Sequence, residues 1–447
     1  MRDLLEATRR SLRHRIHTYQ ADARIPGMYA ALTRDARIAY GAGVGSADLE
    51  RPGEEPTEQT RFQIASITKT FTSVLTLALR DAGKLDLADP IERHIPESRH
   101  TGITIRQMLS HATGMQREPV GDVWDTLVPV AHGELVNGWN AAERVLRAGD
   151  RFHYSNLVFS MLGEIVARIE GRPWADSLQA RILDPLGMRA TSLASSDADS
   201  RPYYVPPHTD VPVIEPVLDV AALAPAGSLR SNASDLATWL GFLANPTDEV
   251  LAPDTVEEMS RPQLISDSDG WQSAWGLGLL LVRHHGRTYV GHPGGMPGQV
   301  TCALVDRETG TGAVTLLNAP PTPDPVALTA GLVAYADEHD PAVPEPWRPG
   351  TSVPDELVGL LGRWYAEGQP HEFSVRRGAL ESRQATAPAD APPSVFERIE
   401  ADLYRTKSGR EVGERLRVSR NDDGSVSHLN WATYRLTREP LPFGGWL

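Results

Sequence analysis

Residues 62–73 read FQIASITKTFTS, and the lysine in that stretch decides how the chain is read. Of 44 basic residues only three, Lys69, Lys84 and Lys407, are lysines; all the others are arginines. Arginine keeps its charge anywhere in a protein, whereas a desolvated lysine gives up its proton and can act as a base. Ser66 stands three residues before Lys69, on the same face of a helix. A serine at a helix start is polarised by the exposed N–H groups and the positive end of the dipole. Ile64, Ile67 and Phe71 flank the pair and favour a desolvated amine. A capping serine beside a surface lysine would spell the same pattern, so the pair needs support from elsewhere in the chain.

Two further stretches supply it. GDRFHYSNLVFS, residues 149–160, sets Tyr154, Ser155 and Asn156 just before an apolar helix. Ser155 or Asn156 could serve there simply as the N-cap, with Tyr154 in the core. YVGHPGGMPG, residues 289–298, packs four glycines and two prolines around His292 at a strand end. Glycines in that setting let a backbone approach something closely, although an ordinary turn would use them too.

The bulk composition narrows the function classes. The chain has 447 residues, with 40% hydrophobic and 23% charged, as in a soluble globular protein, and is long enough for one large domain plus a small one or for two or three ordinary domains. A net charge of −14 argues against a nucleic-acid or anionic-membrane partner, both of which need a basic face. The single cysteine, Cys302, alternates with apolar residues in GQVTCALVD and reads as a buried strand position; no cysteine-rich metal site can be built. The start, MRDLLEATRRSLRHRIHTY, lacks the apolar core of a signal peptide, and no apolar run is long enough to span a membrane. The expected location is the cytoplasm.

Periodicity predicts helices over 3–20, from Thr70 to Gly83, over 104–114, 157–171, from Asn232 on, and over 324–338. GMYAALTRD and RIAYGAGVG read as an early hairpin. WGLGLLLVR, QVTCALVDR and GAVTLLNA read as adjacent antiparallel strands, and residues 115–150 as a lid or loop. The expected fold class is α+β, with a sheet that collects strands from both ends of domain 1–340 around a helical part. EHDPAVPEPWRPGTSVP carries five prolines and marks a stiff linker, 341–354. Short alternating runs over 355–447 predict a small antiparallel β-domain.

Ser-x-x-Lys at 66–69, Tyr-x-Asn at 154–156 and His-x-Gly at 292–294 together resemble the serine β-lactamase and penicillin-binding-protein superfamily, closest to its class C-like esterases, D-aminopeptidases and acyltransferases. KLDLADPIERHIPE, TIRQMLSHATGM, ILDPLGM and APAGSLRSNASDLATWL agree with it. The third motif is His292-Pro293-Gly294 rather than Lys-Thr-Gly, as in the esterase and peptidase members. The resemblance implies a β-lactamase-like sheet with a helical subdomain. It implies that Ser66 attacks a carbonyl, that Lys69 takes its proton and that Tyr154 carries the second proton, its phenol lowered in pKa by nearby amines or an imidazole. It implies that Asn156 orients Lys69 and the substrate, that His292 supports Tyr154 or binds substrate, and that N–H groups of Ser66 and Gly295, beside Gly294, form an oxyanion hole. No metal or organic cofactor is implied.

LVGLLGRWYAEG gives the β-domain a lipocalin-like look, and a Ser-x-x-Lys enzyme with such a domain resembles stand-alone penicillin-binding-protein-type thioesterases. Those release nonribosomal peptides from a carrier protein as head-to-tail macrolactams. The expected function is therefore acyl transfer from a peptide or peptidyl thioester, with a carrier protein as the thioesterase's partner. D-aminopeptidase or esterase hydrolysis is the alternative, and a catalytically dead binding protein is the third. The closing stretch, YRLTREPLPFGGWL, suggests that Arg438 reads the substrate peptide's terminal carboxylate, with its fork, or its backbone, and that the two tail aromatics pack on something.

Overall fold

The computed structural model describes residues 4–51, 53–121, 123–267, 270–341, 343 and 346–442. It forms two compact units, Met1–Val343 and Pro344–Leu447.

In the first unit an eight-stranded antiparallel sheet runs, in spatial order, Arg37–Gly45, Gly27–Arg34, Gly312–Leu317, Gln299–Val305, Arg287–Met296, Leu280–His284, Ser273–Trp275 and Leu264–Ile265. The early hairpin thus pairs with a late strand, Met28 opposite Leu317 and Thr33 opposite Gly312. Alternation decides which side each residue serves. Met28, Ala30 and Leu32 face one core, shared with Leu12 and Ile16 of helix Glu6–Asp22 and Val333 of helix Pro325–His339. Tyr29 and Ala31 face the other, which is built on helices Thr68–Asp81, Asn156–Glu170 and Ala233–Ala244. Cys302 is buried in its strand.

Two sequence expectations change. The helix expected over 104–114 covers only Ile105–Leu109: the Thr104/Gln107 capping box starts it, and His111 then turns into the left-handed region at φ 55°. The strands WGLGLLLVR and QVTCALVDR are not neighbours, because Arg287–Met296 lies between them. Its Gly- and Pro-rich spelling looks like a turn, yet it is extended throughout. Its pairing with Leu280–His284 stops at Gly291, so residues 292–296 have a strand partner on one side only. A proline, which cannot donate to a ladder, is tolerated at 293 for that reason.

The second unit is a closed barrel of eight antiparallel strands in sequence order, from Gly362–Ala366 to Tyr434–Thr437. Trp364, Phe373, Phe396 and Trp431 fill its interior with Leu380, Leu416 and Leu429. Residues 443–447, which hold both aromatics of the tail, lie outside the described residues. Among the described residues no helix is long and apolar enough to cross a membrane, and no group of three or more His, Cys, Asp or Glu could hold a metal ion.

Candidate active site

Ser66 lies in a single 3-10 turn, Ala65–Ile67, that runs into helix Thr68–Asp81. Ala65 is held at φ 47°, a costly conformation for alanine, and it sets the turn that presents Ser66. The helix is buried along almost its whole length, so Lys69 is fully buried as well. Its Nζ is 3.1 Å from Ser66 Oγ, 2.7 Å from Asn156 Oδ1 and 2.6 Å from the Ala226 carbonyl. A neutral amine has two hydrogens and one lone pair. With the two carbonyl oxygens taking both hydrogens, the lone pair is left for the Ser66 proton. Burial holds the Lys69 amine well below its ordinary value and nearby Arg117 adds to this, while Glu118 works against both.

Asn156 is fixed from its other end. Its Nδ2 donates to Glu118 Oε1 at 2.6 Å, which leaves Oδ1 for Lys69. Ser155 is the N-cap of the following helix, accepting from Val158 N–H at 3.2 Å. Tyr154 is near enough to Ser66 for that hydroxyl to favour its ionised form, and Lys69 Nζ lies 4.8 Å from the centre of its ring. The expected lowering of the phenol's pKa does not occur. Burial is the largest influence and pushes it up, outweighing the Ser66 hydrogen bond and Arg117.

His292 and Gly294 explain the extended strand. Gly294 has no room for a side chain, since a Cβ would fall 2.2 Å from the Ile64 carbonyl and 2.6 Å from Thr301 Oγ1. The strand therefore passes directly against the turn that carries Ser66. A Cβ at Gly295 would meet nothing within 4 Å, and Gly295 lines a cavity of about 150 Å³ together with Ser66, Asn156, Glu118 and Met296. His292 is buried beside Trp275 and Tyr154, with ring centres 5.1 and 6.1 Å away, and its Nδ1–H donates to the Pro293 carbonyl. Burial and Lys69 push it down to about 3, so it is neutral. It is not among the residues that line the cavity.

Arg438 belongs to the other unit. Its guanidinium donates to the carbonyls of Leu361, Arg363 and Gly359 at 2.9, 3.0 and 2.7 Å and lies 3.8 Å over the Trp364 ring. Those contacts account for the residue within its own barrel, with no substrate required.

Sequence reasoning missed Glu118, Arg117 and His111. The first two sit in the stretch read as a loop, where no periodicity marks them. His111 was visible in SHATG, but only as part of a longer similarity.

The Beta-lactamase family model matches residues 12–338, and a domain of unknown function, DUF7586, matches 353–438. Among curated proteins, Protein flp of Staphylococcus aureus is 25% identical over 236 residues, 50% of this chain and 47% of that protein. Beta-lactamase-like protein 2 of Dictyostelium discoideum is 26% identical over 266 residues, 56% of this chain and 48% of that protein. The chain thus spans about half the length of the curated relatives it matches. Among solved structures, the octameric penicillin-binding protein homologue from Pyrococcus abyssi is similar in fold, with TM-score 0.65, 21% identity and coverage of 97% of this chain and 100% of that one. SurE covers 97% and 99% at TM-score 0.61 and 20% identity. A D-stereospecific amidohydrolase from Streptomyces sp. is 26% identical over 73% of this chain and 98% of that one, with TM-score 0.62. With the family model spanning most of the first unit and its sheet and helices laid out as described, the chain belongs to the beta-lactamase family.

Proposed function

We propose that the chain is a serine acyl-enzyme hydrolase and acyltransferase acting at the carboxyl end of a small peptide or amino-acid derivative. The observation that carries this reading is the buried, charge-suppressed Lys69 amine 3.1 Å from Ser66 Oγ. In the proposed reaction Ser66 Oγ attacks the carbonyl carbon and its proton passes to Lys69 Nζ. The negative charge that builds on the carbonyl oxygen is met by the N–H groups of Ser66 and Gly295. Tyr154, kept as a phenol, gives a proton to the departing thiolate or amine and takes one from the nucleophile that opens the acyl-enzyme. Asn156, locked by Glu118, keeps the Lys69 lone pair aimed. The Glu118 carboxylate beside the cavity suits a substrate that carries an ammonium group.

The finer reading takes the peptide's own N-terminal amine as the second nucleophile, so that a peptidyl thioester delivered by a carrier protein leaves as a macrolactam. Hydrolysis of a D-residue amide is the second reading, favoured by the similarity to a D-stereospecific amidohydrolase. The test is incubation with linear peptidyl thioesters and amides ending in D- or L-residues, with products separated by mass. Wild type should show an acyl adduct on the intact protein and Ser66→Ala none. Turnover by a folded Ser66→Ala variant would end the acyl-enzyme reading. Linear acid as the sole product would leave hydrolysis as the function.

A further inference from the structure

His111 occupies an unusual place beside Tyr154. Its backbone carbonyl accepts from His153 N–H at 2.9 Å. Its ring Nδ1 accepts from Ser155 N–H at 3.2 Å. The two bonds grip the residues immediately before and after Tyr154, and the ring itself stacks on the Tyr154 ring, 4.3 Å between centres and 24° between planes. Only one residue supplies all three contacts. It can do so because its backbone lies in the left-handed region, φ 55°, just after the short helix Ile105–Leu109 ends. That conformation is uncommon for a residue with a side chain, although histidine adopts it more readily than most.

The ring's surroundings fix its chemistry. Nδ1 is an acceptor, so the ring hydrogen is on Nε2, and Nε2 is buried with no partner among the described residues. Trp275 meets the ring edge-on at 4.8 Å, and Phe152 and Phe159 lie 5.9 and 4.9 Å away. The charged or titratable groups around it are Lys69, His292, Arg117 and His153, and burial followed by these keeps the ring neutral. A buried N–H without a partner costs stability that a phenylalanine or leucine in this aromatic nest would not incur. The position therefore gives up stability for the acceptor.

We propose that His111 is a positioning residue for the acyl-transfer reaction: as a neutral, two-point acceptor it clamps the 153–155 segment and so aims the Tyr154 hydroxyl at Ser66. It touches no reacting atom. This rests on the reading of Tyr154 as a proton carrier. A misaimed hydroxyl slows proton delivery but leaves substrate binding alone, so the effect falls on kcat and spares KM.

The test uses the full-length protein with a p-nitrophenyl ester and a D-amino-acid amide as probes. His111→Gly suits the left-handed backbone, keeps the carbonyl bond and removes the ring. It should lower kcat by about 100-fold with KM within about threefold. Added imidazole should restore at least about tenfold, whereas pyrrole, a ring of the same shape without the acceptor nitrogen, should not. Asparagine also tolerates this backbone, and its side-chain oxygen can take the place of Nδ1, so His111→Asn should stay within about fivefold of wild type. Equal rescue by pyrrole, unchanged kcat in folded His111→Gly, or a hundredfold loss in folded His111→Asn would each overturn the proposal. If His111→Gly does not fold, His111→Asn decides alone. Tyr154→Phe separates the two readings. If it stays active, the proton-carrier role fails; if it is dead while His111→Gly is not, only the clamp fails.

Discussion

The two units place their buried polar groups differently. In the first, Lys69, His111 and His292 are all buried with their positive charge suppressed, Ala65 is held in a strained conformation, and Gly294 leaves no space for one more atom. The buried polar groups and the strained alanine are unfavourable for stability, and they lie around Ser66, Lys69 and Tyr154. In the barrel, by contrast, the core is aromatic and aliphatic, and buried His371 lies edge-on to Trp431 rather than beside a nucleophile. Its most elaborate cation, Arg438, is satisfied by three carbonyls of its own unit. The barrel has a strained alanine of its own, Ala432 at φ 53°, and a buried Ser382 Oγ with no partner among the described residues, so what sets the first unit apart is that its unfavourable features sit beside one serine and lysine.

The largest effect is expected at Lys69. If the amine acts as a base, Lys69→Arg should lose about 1,000-fold in kcat/KM, nearly as much as Lys69→Ala, because a guanidinium cannot give up its proton. Steady-state rates on the ester probe decide it. Substantial activity in Lys69→Arg would make Lys69 a mere charge, and the suppressed amine would lose its meaning.

The pH profile sharpens the same point. A base at Lys69 works only when neutral, so the rate is expected to rise with pH through its lowered value and then stay flat. His292, at about 3, is neutral across the working range and contributes no inflection near the ordinary histidine value. Burial raises Tyr154, so the alkaline fall begins above an ordinary phenol's range. An inflection near pH 6.5 that vanishes in His292→Asn would show that this ring is charged during turnover.

A smaller effect is expected at the paired glycines. Gly294→Ala drives a methyl into the Ile64 carbonyl and should destabilise the unit by about 2–3 kcal/mol, read as a lower midpoint in denaturant. Gly295→Ala has open space, so its midpoint should move by less than about 0.5 kcal/mol while the cavity narrows and KM rises. Equal destabilisation by both would mean that the strand does not press against the Ser66 turn.

How much of this could be read beforehand follows the physics of each element. The helices with strong periodicity, Thr68–Asp81 and Asn156–Glu170, and the early hairpin were legible because their apolar faces repeat. The strand Arg287–Met296 was legible only in part: His292 reads as a strand end, but the glycines and proline beyond it answer to the close approach at Ile64 and to a missing strand neighbour, both long-range facts. The pairing of Ser66 with Lys69 was legible as spacing. The raised Tyr154 was misread because neighbouring cations show in a sequence resemblance, whereas the burial that outweighs them does not. Glu118 and His111 act through contacts with residues 38 and 44 positions away, which no local pattern announces.

Arg438 is the mildest and most discriminating case. The strand end at Thr437 and the fork of a guanidinium suggested a carboxylate reader, yet the fork is already occupied by Leu361, Arg363 and Gly359 and stacked on Trp364. These bonds tie the last strand of the barrel back to the segment leading into its first strand. Such bonds help to close the barrel, and they are partly exposed to water, so their worth is modest. Arg438→Ala should lower barrel stability by about 1–2 kcal/mol. Arg438→Lys should recover only part of this, since a single ammonium cannot serve three carbonyls and a ring in the same way. Kinetics then separate closure from recognition. For a closure residue, kcat and KM on both the ester and the longest available peptidyl thioester remain within about twofold of wild type below the unfolding midpoint, while the barrel melts earlier. If KM for the peptide alone rises tenfold or more with the melting curve unchanged, the three carbonyl contacts are not what Arg438 is for, and the barrel takes part in reading the substrate.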